Sequence, residues 1–396
     1  MRILLIAARH NIVEAAKKLD YEVVLFENKH RLLKETLEIA DETHVVDWEN
    51  HDEVVHLAAS IHKMKPFQAV FAFGEKGVLP AALIKEKLNI LGNPLKPVEL
   101  SKDKGEMRKL LNERGISLVR YAVSHSTADL KEAVGRIGLP CIIKPVAGTA
   151  SSGVFKINTS SELDRLFKQE YLQDEEKMEV IVEEYLNGAE YSVESISFNG
   201  THHIIGITEK FTTGEPSFIE TGHFFPAVSL QQNTANDVKD LTLKVLHAIE
   251  HEIGPAHTEI KITADGPKVI ETHTRPGGDK ITELMKLSFG VDVFYETLKS
   301  LKGMETQFNP ALLQYSGIHF NLFQEGIVTG ISGLKDLQKH PNIVEAELYL
   351  EPGNEIKPVK DSLTRHGYTV FTAYSPDKLT AMKQYIENTL KVYVKS

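Results

Sequence analysis

Several common signals are missing from this chain. There is one cysteine, Cys141, in 396 residues, so no intrachain disulfide is possible, which fits a reducing compartment. Its flanks, GLPCIIKP, are apolar and predict a small buried core residue rather than a nucleophile. No stretch approaches the roughly 18 apolar residues of a membrane span. The opening MRILLIAARHN has too short an apolar run for a signal peptide. A cytoplasmic protein with no membrane partner is the expectation. No GxxxxGK[ST] phosphate loop is present, and the first strand-to-helix turn, AARHN, lacks the glycines of a dinucleotide fingerprint. HExxH is absent too. His247 and His251 stand four apart without a third ligand, and read as a solvated helix face rather than a zinc site. The net charge of −10 leaves no surplus of Lys and Arg for a phosphate backbone, which argues against a nucleic-acid partner.

What is present is ordinary globular composition, 42% apolar and 25% charged, in a chain too long for one compact core. Strands are predicted at 2–7, 22–26, 44–47 and 68–73, alternating with helices at 11–18, 51–64 and 77–88. That alternation predicts a doubly wound parallel sheet. ILGNPLKPVEL, at 90–100, reads as a domain junction. The helix in SKDKGEMRKLLNERGI follows, with Ser101 as expected N-cap, then strands at 119–123, 140–144, 153–157 and 179–183. Residues 189–230 are β-rich. Helical spacing of Val238, Leu241, Val245, Leu246 and Ile249 predicts a helix over 234–252, and another is expected near 280–287.

The chemistry gathers in TEIKITADGPKVIETHTRPGGD. Alternating residues flank the turn Ala264-Asp265-Gly266. A three-residue loop pairs Thr263 with Pro267 and, by the same register, Glu259 with Glu271. Like charges directly opposite are destabilising unless neutralised. A divalent cation does this, and oxygen ligands suit Mg²⁺; two solvated strand glutamates are the plainer alternative. Arg275 keeps its charge and suits phosphate or carboxylate. Gly277 and Gly278 allow a ligand close to the backbone, ahead of a helix N-terminus that favours anions.

A second half-site lies upstream. Lys144 ends a strand and is followed by Gly148-Thr149-Ala150-Ser151-Ser152-Gly153, small residues whose amides could wrap an anion or simply make a hairpin turn. Lys104 is a further candidate phosphate lysine or a solvated one. In VIVEEYLNGAEYSVE, Glu183 and Glu184 end an apolar strand and Tyr185 and Leu186 follow, so the departing backbone could read an adenine edge. Glu190 is placed to bind ribose hydroxyls.

In this order, DKGEMRKLL, CIIKPVAGTASSGV, VEEYLNGAEYSVE, TEIKIT and VIETHTRPGGD resemble the ATP-grasp superfamily over roughly residues 1–310. The resemblance implies an α/β and α+β protein. An N-terminal doubly wound domain would span 1–95, an ATP-grasp subdomain with the phosphate loop 96–185, a catalytic and metal subdomain 186–310, and a mixed C-terminal domain 311–396. It puts ATP on Lys104, Lys144, Gly148, Ser151, Ser152, Gly153, Glu183, Glu184, Tyr185, Leu186 and Glu190. It puts Mg²⁺, with Mn²⁺ as a substitute, on Glu259 and Glu271. A third family ligand, often Asn, is His273 here, and imidazole is a poorer Mg²⁺ ligand.

Within the superfamily, TEKFTTGEPSFIETGHFFPA is similar to the bacterial L-amino-acid ligases, which make dipeptides. That likeness implies that Glu220 receives a substrate amino group and that His223 and Arg275 act at the reacting carbonyl. Gly277, Gly278 and Asp279 would lie on the substrate side. Asp279 reads first as the N-cap of the 280–287 helix; alternatively it faces a substrate side chain and selects a cation. The implied reaction joins two amino acids through an aminoacyl phosphate, releasing ADP. Alternatives are transfer to a carrier protein, a purine-type carboxylase, phosphoryl transfer alone, or a non-catalytic ATP-binding module. Small amino acids are the expected partners, and a homodimer is a candidate assembly.

Overall fold

The computed structural model describes residues 1–148, 153–167, 179–215, 218–305 and 308–395. The expectations for Thr149, Ala150, Ser151 and Ser152 therefore lie outside the described residues.

RILLI at Arg2–Ile6 is buried along its whole length, as a strand covered on both faces must be. Leu4 and Ile6 pack into one core layer with Val24, Phe26 and Val70; Ile3 and Leu5 point to the opposite layer with Val23, Leu25 and Phe71. This two-residue alternation builds a five-stranded parallel sheet in the order Glu42–Val45, Glu22–Glu27, Arg2–Ile6, Ala69–Phe71, Leu91–Gly92. The expected domain junction is itself ordered structure. Leu91–Gly92 closes the sheet edge, and Leu95–Lys102 is a helix with Pro97 in its first turn, where a missing N–H costs nothing.

Ser101 is not the N-cap of the next helix. It belongs to Leu95–Lys102, its hydroxyl donating to the Val98 carbonyl. Asp103 caps Lys104–Glu113 by accepting from the Glu106 amide at 2.9 Å. The four expected strands after it form an antiparallel sheet in the order Tyr121–Ser124, Val180–Glu184, Cys141–Pro145, Phe155–Ile157. Cys141 is fully buried there, and burial pushes its thiol up to about 11, as a core role requires.

The remaining frame is an eight-stranded antiparallel sheet. Its order is Gly266–His273, Gly254–Thr263, Ala189–Phe198, Thr201–Thr212, Glu220–Phe225, Tyr315–Phe320, Gly367–Ala373, Ile343–Leu348. The helix Gln232–Ala248 lays Val238, Leu241, Val245 and Leu246 on Val193, Ile207, Ile260 and Val269 of this sheet. Val293–Leu301 ties it to the parallel domain, burying Leu298 and Leu301 beside Ile3 and Leu5, with the Tyr21 hydroxyl donating to the Leu298 carbonyl. A three-stranded sheet, Glu355–Ile356, Gly326–Ser332 and Lys391–Lys395, completes the C-terminal part. Among the described residues no helix is long and apolar enough to cross a membrane.

His251 corrects the solvated-face expectation. It lies past the end of Gln232–Ala248 and is buried, with Nε2 3.1 Å from the Gly254 carbonyl. His247 is exposed, its ring tilted against that of His202 at 4.6 Å, and no group of three potential ligands is arranged to hold a metal among the described residues.

Candidate functional site

The strands Gly254–Thr263 and Gly266–His273 pair with Glu259 directly opposite Glu271, as expected, but by a different route. The turn is tight: Thr263 pairs with Gly266, not Pro267. A regular ladder from that turn would put Ile270 opposite Glu259. Ile270 instead forms a bulge, and the extra residue brings Glu271 into place. Arg108 holds the bulge open. Its guanidinium, 2% exposed, donates to the Val269 and Ile270 carbonyls at 2.7 and 3.0 Å and to Glu183 at 2.6 Å.

One cleft is lined by Lys104, Lys144, Gly148, Glu183, Glu184, Tyr185, Leu186, Glu190, Glu220, Glu259 and Glu271, with Ile142, Val154, Phe218 and Ile270 as apolar walls. Separate stretches of sequence thus converge on a single space. Lys104, first residue of its helix, has Nζ 2.8 Å from the Gly148 carbonyl and 3.3 Å from Glu271. Arg108 follows one helical turn later on the same face. Lys144 pairs with Glu183 at 2.7 Å, both buried. The Glu183 carboxylate is thus engaged with buried cations, while the residue still lines the cleft. It sits in the central strand of its sheet, and its carboxylate bridges Lys144 and Arg108. Glu184 is spent on the Arg120 amide and guanidinium, and the Tyr185 amide donates to the Pro140 carbonyl. The Tyr185 ring meets the Lys156 ammonium at 3.8 Å and the Phe218 ring at 6.4 Å. Gly153 turns back with φ +72° over Pro145.

Lys210 was missed in the sequence. It comes from TEKFTT and is buried with Nζ 2.7 Å from Glu190, 2.8 Å from Glu259 and 3.6 Å from Glu220. Burial alone would lower its pKa, but Glu190, Glu259 and Glu220 outweigh it and hold the ammonium charged well above its usual range. The signal was there: a lysine inside the apolar strand GITEKF can be buried only against acids.

Each hairpin acid also has its own histidine. His257 Nε2 is 3.2 Å from Glu259, and its Nδ1 is 2.9 Å from the buried Glu194, which also accepts from Ser192 and Thr208. His273 Nε2 lies 3.0 Å from Glu271. That nitrogen braces Glu271, so His273 does not offer a third metal contact in this arrangement. Desolvation opposes ionisation of both acids. Lys210 and His257 hold Glu259, and His273 and Lys104 hold Glu271, well below the usual carboxylate range. Gly277 permits this packing: a Cβ there would stand 2.8 Å from His257 Nδ1.

Arg275 reaches into the parallel domain, its Nε donating to Glu75 at 2.7 Å and its NH1 to the Pro276 carbonyl. Glu75 also takes Lys102 at 2.9 Å. Arg275 and Lys102 overcome its burial and draw its pKa down to about 2. No feature of FGEKG marked this acid.

Asp279 is not a helix cap. The helix is Ile281–Phe289, and Lys280 stands at its N-cap position without a side-chain bond. Asp279, at φ +51°, turns instead to His223 Nε2 at 3.2 Å and to both terminal nitrogens of Arg365, one at 2.9 Å. Glu220 accepts from the Ser362 hydroxyl, and its own carbonyl takes Arg365 at 3.3 Å. Ser362 and Arg365 lie in DSLTRHG, a stretch whose role no local spacing indicated. Gly278 has open space where a side chain would be.

Family models match three successive segments: an ATP-grasp N-terminal domain at 13–91, an ATP-grasp domain at 137–283, and an L-amino acid ligase C-terminal domain 2 at 319–395. An uncharacterized protein of Sinorhizobium fredii is 26% identical over 336 residues, 83% of this chain and 69% of that one. The alanine–anticapsin ligase of Bacillus subtilis strain 168 is 26% identical over 264 residues, 61% of this chain; the match spans only 55% of that ligase. In fold, the crystal structure of the L-amino acid ligase from Bacillus licheniformis superposes with a TM-score of 0.84 at 20% identity, covering 100% of this chain and 99% of that one. The antiparallel lobes, the facing acids of the hairpin and the order of the matched segments give this chain the ATP-grasp fold with an ATP-grasp domain at its centre, similar to the L-amino acid ligase of Bacillus licheniformis.

Proposed function

We propose that the protein is an ATP- and Mg²⁺-dependent carboxylate–amine ligase that joins two L-amino acids into a dipeptide and releases ADP and phosphate. The observation that carries this is the convergence of Lys104, Lys144, Glu190, Glu220, Glu259 and Glu271 on one cleft. Two opposed carboxylates fit magnesium, which usually takes one or two protein carboxylates and completes its shell with phosphates and water. Bound on Glu259 and Glu271, the ion would supply positive charge against the β- and γ-phosphates.

The chain's own residues do the rest. Lys104 and Lys144 face the cleft from two elements and offset phosphate charge as it shifts during transfer. Lys210 brings a third ammonium, already charged, among Glu190, Glu220 and Glu259. The Glu184 carbonyl and the Leu186 amide are the backbone groups set to read adenine, with Tyr185 beside them, and Glu190 takes ribose hydroxyls. One amino acid's carboxylate attacks the γ-phosphate. The amine of the second, drawn towards Glu220, attacks the resulting acyl phosphate. Arg275, anchored by Glu75, stabilises the oxyanion, with His223 as its partner at the reacting carbonyl.

The test is a matrix of amino-acid pairs with ATP and Mg²⁺, reading phosphate release and product mass. A dipeptide with ADP is the expected result. AMP would mean adenylate chemistry. Turnover that needs bicarbonate or a carrier, with no free dipeptide, would replace this function by one of its ATP-grasp alternatives.

A further inference from the structure

The carboxylate of Asp279 caps no helix; it is joined through Arg365 to the carbonyl of Glu220, a residue of the cleft wall, and it also meets His223. Its position is enforced. Asp279 and Lys280 are consecutive non-glycine residues at φ +51° and +59°, a left-handed conformation that side chains disfavour and that persists only when surroundings over-determine it. What determines it here is Arg365. The guanidinium carbon sits over the Phe320 ring, 3.4 Å from its centroid, and the side chain is 8% exposed. It engages both carboxylate oxygens of Asp279, and its NH1 also donates to the carbonyl of Glu220. A fork of this kind, stacked and doubly hydrogen-bonded, fixes charge and direction together. His223 then shares Asp279 Oδ2, while its Nδ1 is buried with no partner.

Two consequences follow from the charge arrangement. An aspartate with a free carboxylate beside a substrate side chain would select lysine or arginine. Asp279 has no free carboxylate, because a cation built into the chain occupies both oxygens. A substrate cation would have to displace a buried, stacked guanidinium. An acidic side chain would meet the paired carboxylate with nothing left to receive it.

We infer that Arg365 is a specificity-determining positioning residue: by neutralising Asp279 from the C-terminal part of the chain, it sets the side-chain subsite beside Glu220 and His223 for uncharged amino acids. This rests on the ligase function proposed above. It touches no reacting atom and acts through Asp279.

The experiment compares kcat/KM for an uncharged amino acid (alanine or methionine), a cationic one (arginine or lysine) and an acidic one (glutamate), each with ATP, Mg²⁺ and a fixed co-substrate, reading ADP and product mass. The wild type is expected to favour the uncharged amino acid at least tenfold over both charged classes. Arg365→Ala bares the Asp279 carboxylate, and the ratio should move at least tenfold towards arginine or lysine. The change should fall on KM for that amino acid, with KM for ATP unmoved. Asp279→Asn frees the guanidinium instead, and the ratio should move towards glutamate; this variant carries the test where Arg365→Ala does not fold. A shift common to all amino acids, or confined to kcat, would mean a merely structural pair and overturn the inference. So would a wild type that prefers arginine or lysine, or ratios unchanged in a folded variant. Each of those outcomes leaves the ligase function standing. Absence of any amino-acid-dependent ADP release in the wild type would overturn that function, and this inference with it.

Discussion

Replacing Arg108 by methionine tests how the Glu259–Glu271 hairpin is held. The guanidinium is 2% exposed and makes three contacts, to Glu183 at 2.6 Å and to the Val269 and Ile270 carbonyls at 2.7 and 3.0 Å. Methionine replaces most of the stem volume, so the cavity term is small. Breaking one side of a buried ion pair typically costs about 3–5 kcal/mol, because the other charge is left uncompensated. Two features favour the lower end. Glu183 keeps Lys144 at 2.7 Å, and Arg108 NH1 is itself buried without a partner, so one unmet donor disappears. The expected loss is about 3 kcal/mol. Urea denaturation, followed by far-UV circular dichroism and by tyrosine and tryptophan fluorescence, measures it, with two probes because a chain of several cores need not unfold in one step. Activity should fall further than stability at moderate temperature, since a bulge without its donors can slip and turn one acid out of line. A midpoint equivalent to less than about 0.5 kcal/mol of change, with full activity, would refute the claim that Arg108 maintains the Glu259–Glu271 register.

Three further outcomes are expected. Glu271→Gln or Arg275→Ala should lower amino-acid-dependent ADP release of the folded protein at least tenfold, since one preorganised charge contact is typically worth about 3 kcal/mol in the transition state; unchanged turnover removes that residue from the site. Lys210→Met leaves Glu190, Glu220 and Glu259 without their shared cation, so its thermal midpoint without metal should drop, and added Mg²⁺ should recover more of it than in the parent protein; equal responses to Mg²⁺ in both proteins would count against the site. His251 is held neutral by burial, its pKa pushed down to about 4 despite the Gly254 carbonyl. A folded pKa below the unfolded one gives stability that is full above about pH 6.5 and is lost as pH falls towards 4, on the order of 3 kcal/mol. His202 and His319, also lowered to about 4, share that window. His251→Gln should flatten part of this acid limb in urea midpoints taken at pH 7 and 4.5, and parallel curves would refute the assignment.

Much of the frame was legible because its signals are local. Two-residue alternation in RILLI and EVVLF and helical spacing in the Gln232–Ala248 segment each report one buried face. The acids at 259 and 271 were legible too, though through compensating errors: an extra loop residue was assumed where Ile270 supplies a bulge, and a bulge pinned by a side chain 161 positions away has no local signature. The same limit hid Lys210, Glu75, Arg365 and Ser362. Each is chemically ordinary in its own stretch and acquires meaning only from carboxylates brought to it by other strands. Asp279 was read as a cap because capping is the local habit of aspartate before a helix; a guanidinium 86 residues on decided otherwise.

The pairing of Glu220–Phe225 with Tyr315–Phe320 also bears on how this chain can be cut and recombined. The strand that carries His223 relies on the last 80 or so residues for its neighbour. A fragment ending near residue 310 would not simply shed an appendage. It would present a raw strand border at Gly222–Phe225, where another copy could anneal. Chimeras that exchange the C-terminal part between relatives would also exchange the side chains that meet Glu220 and Asp279.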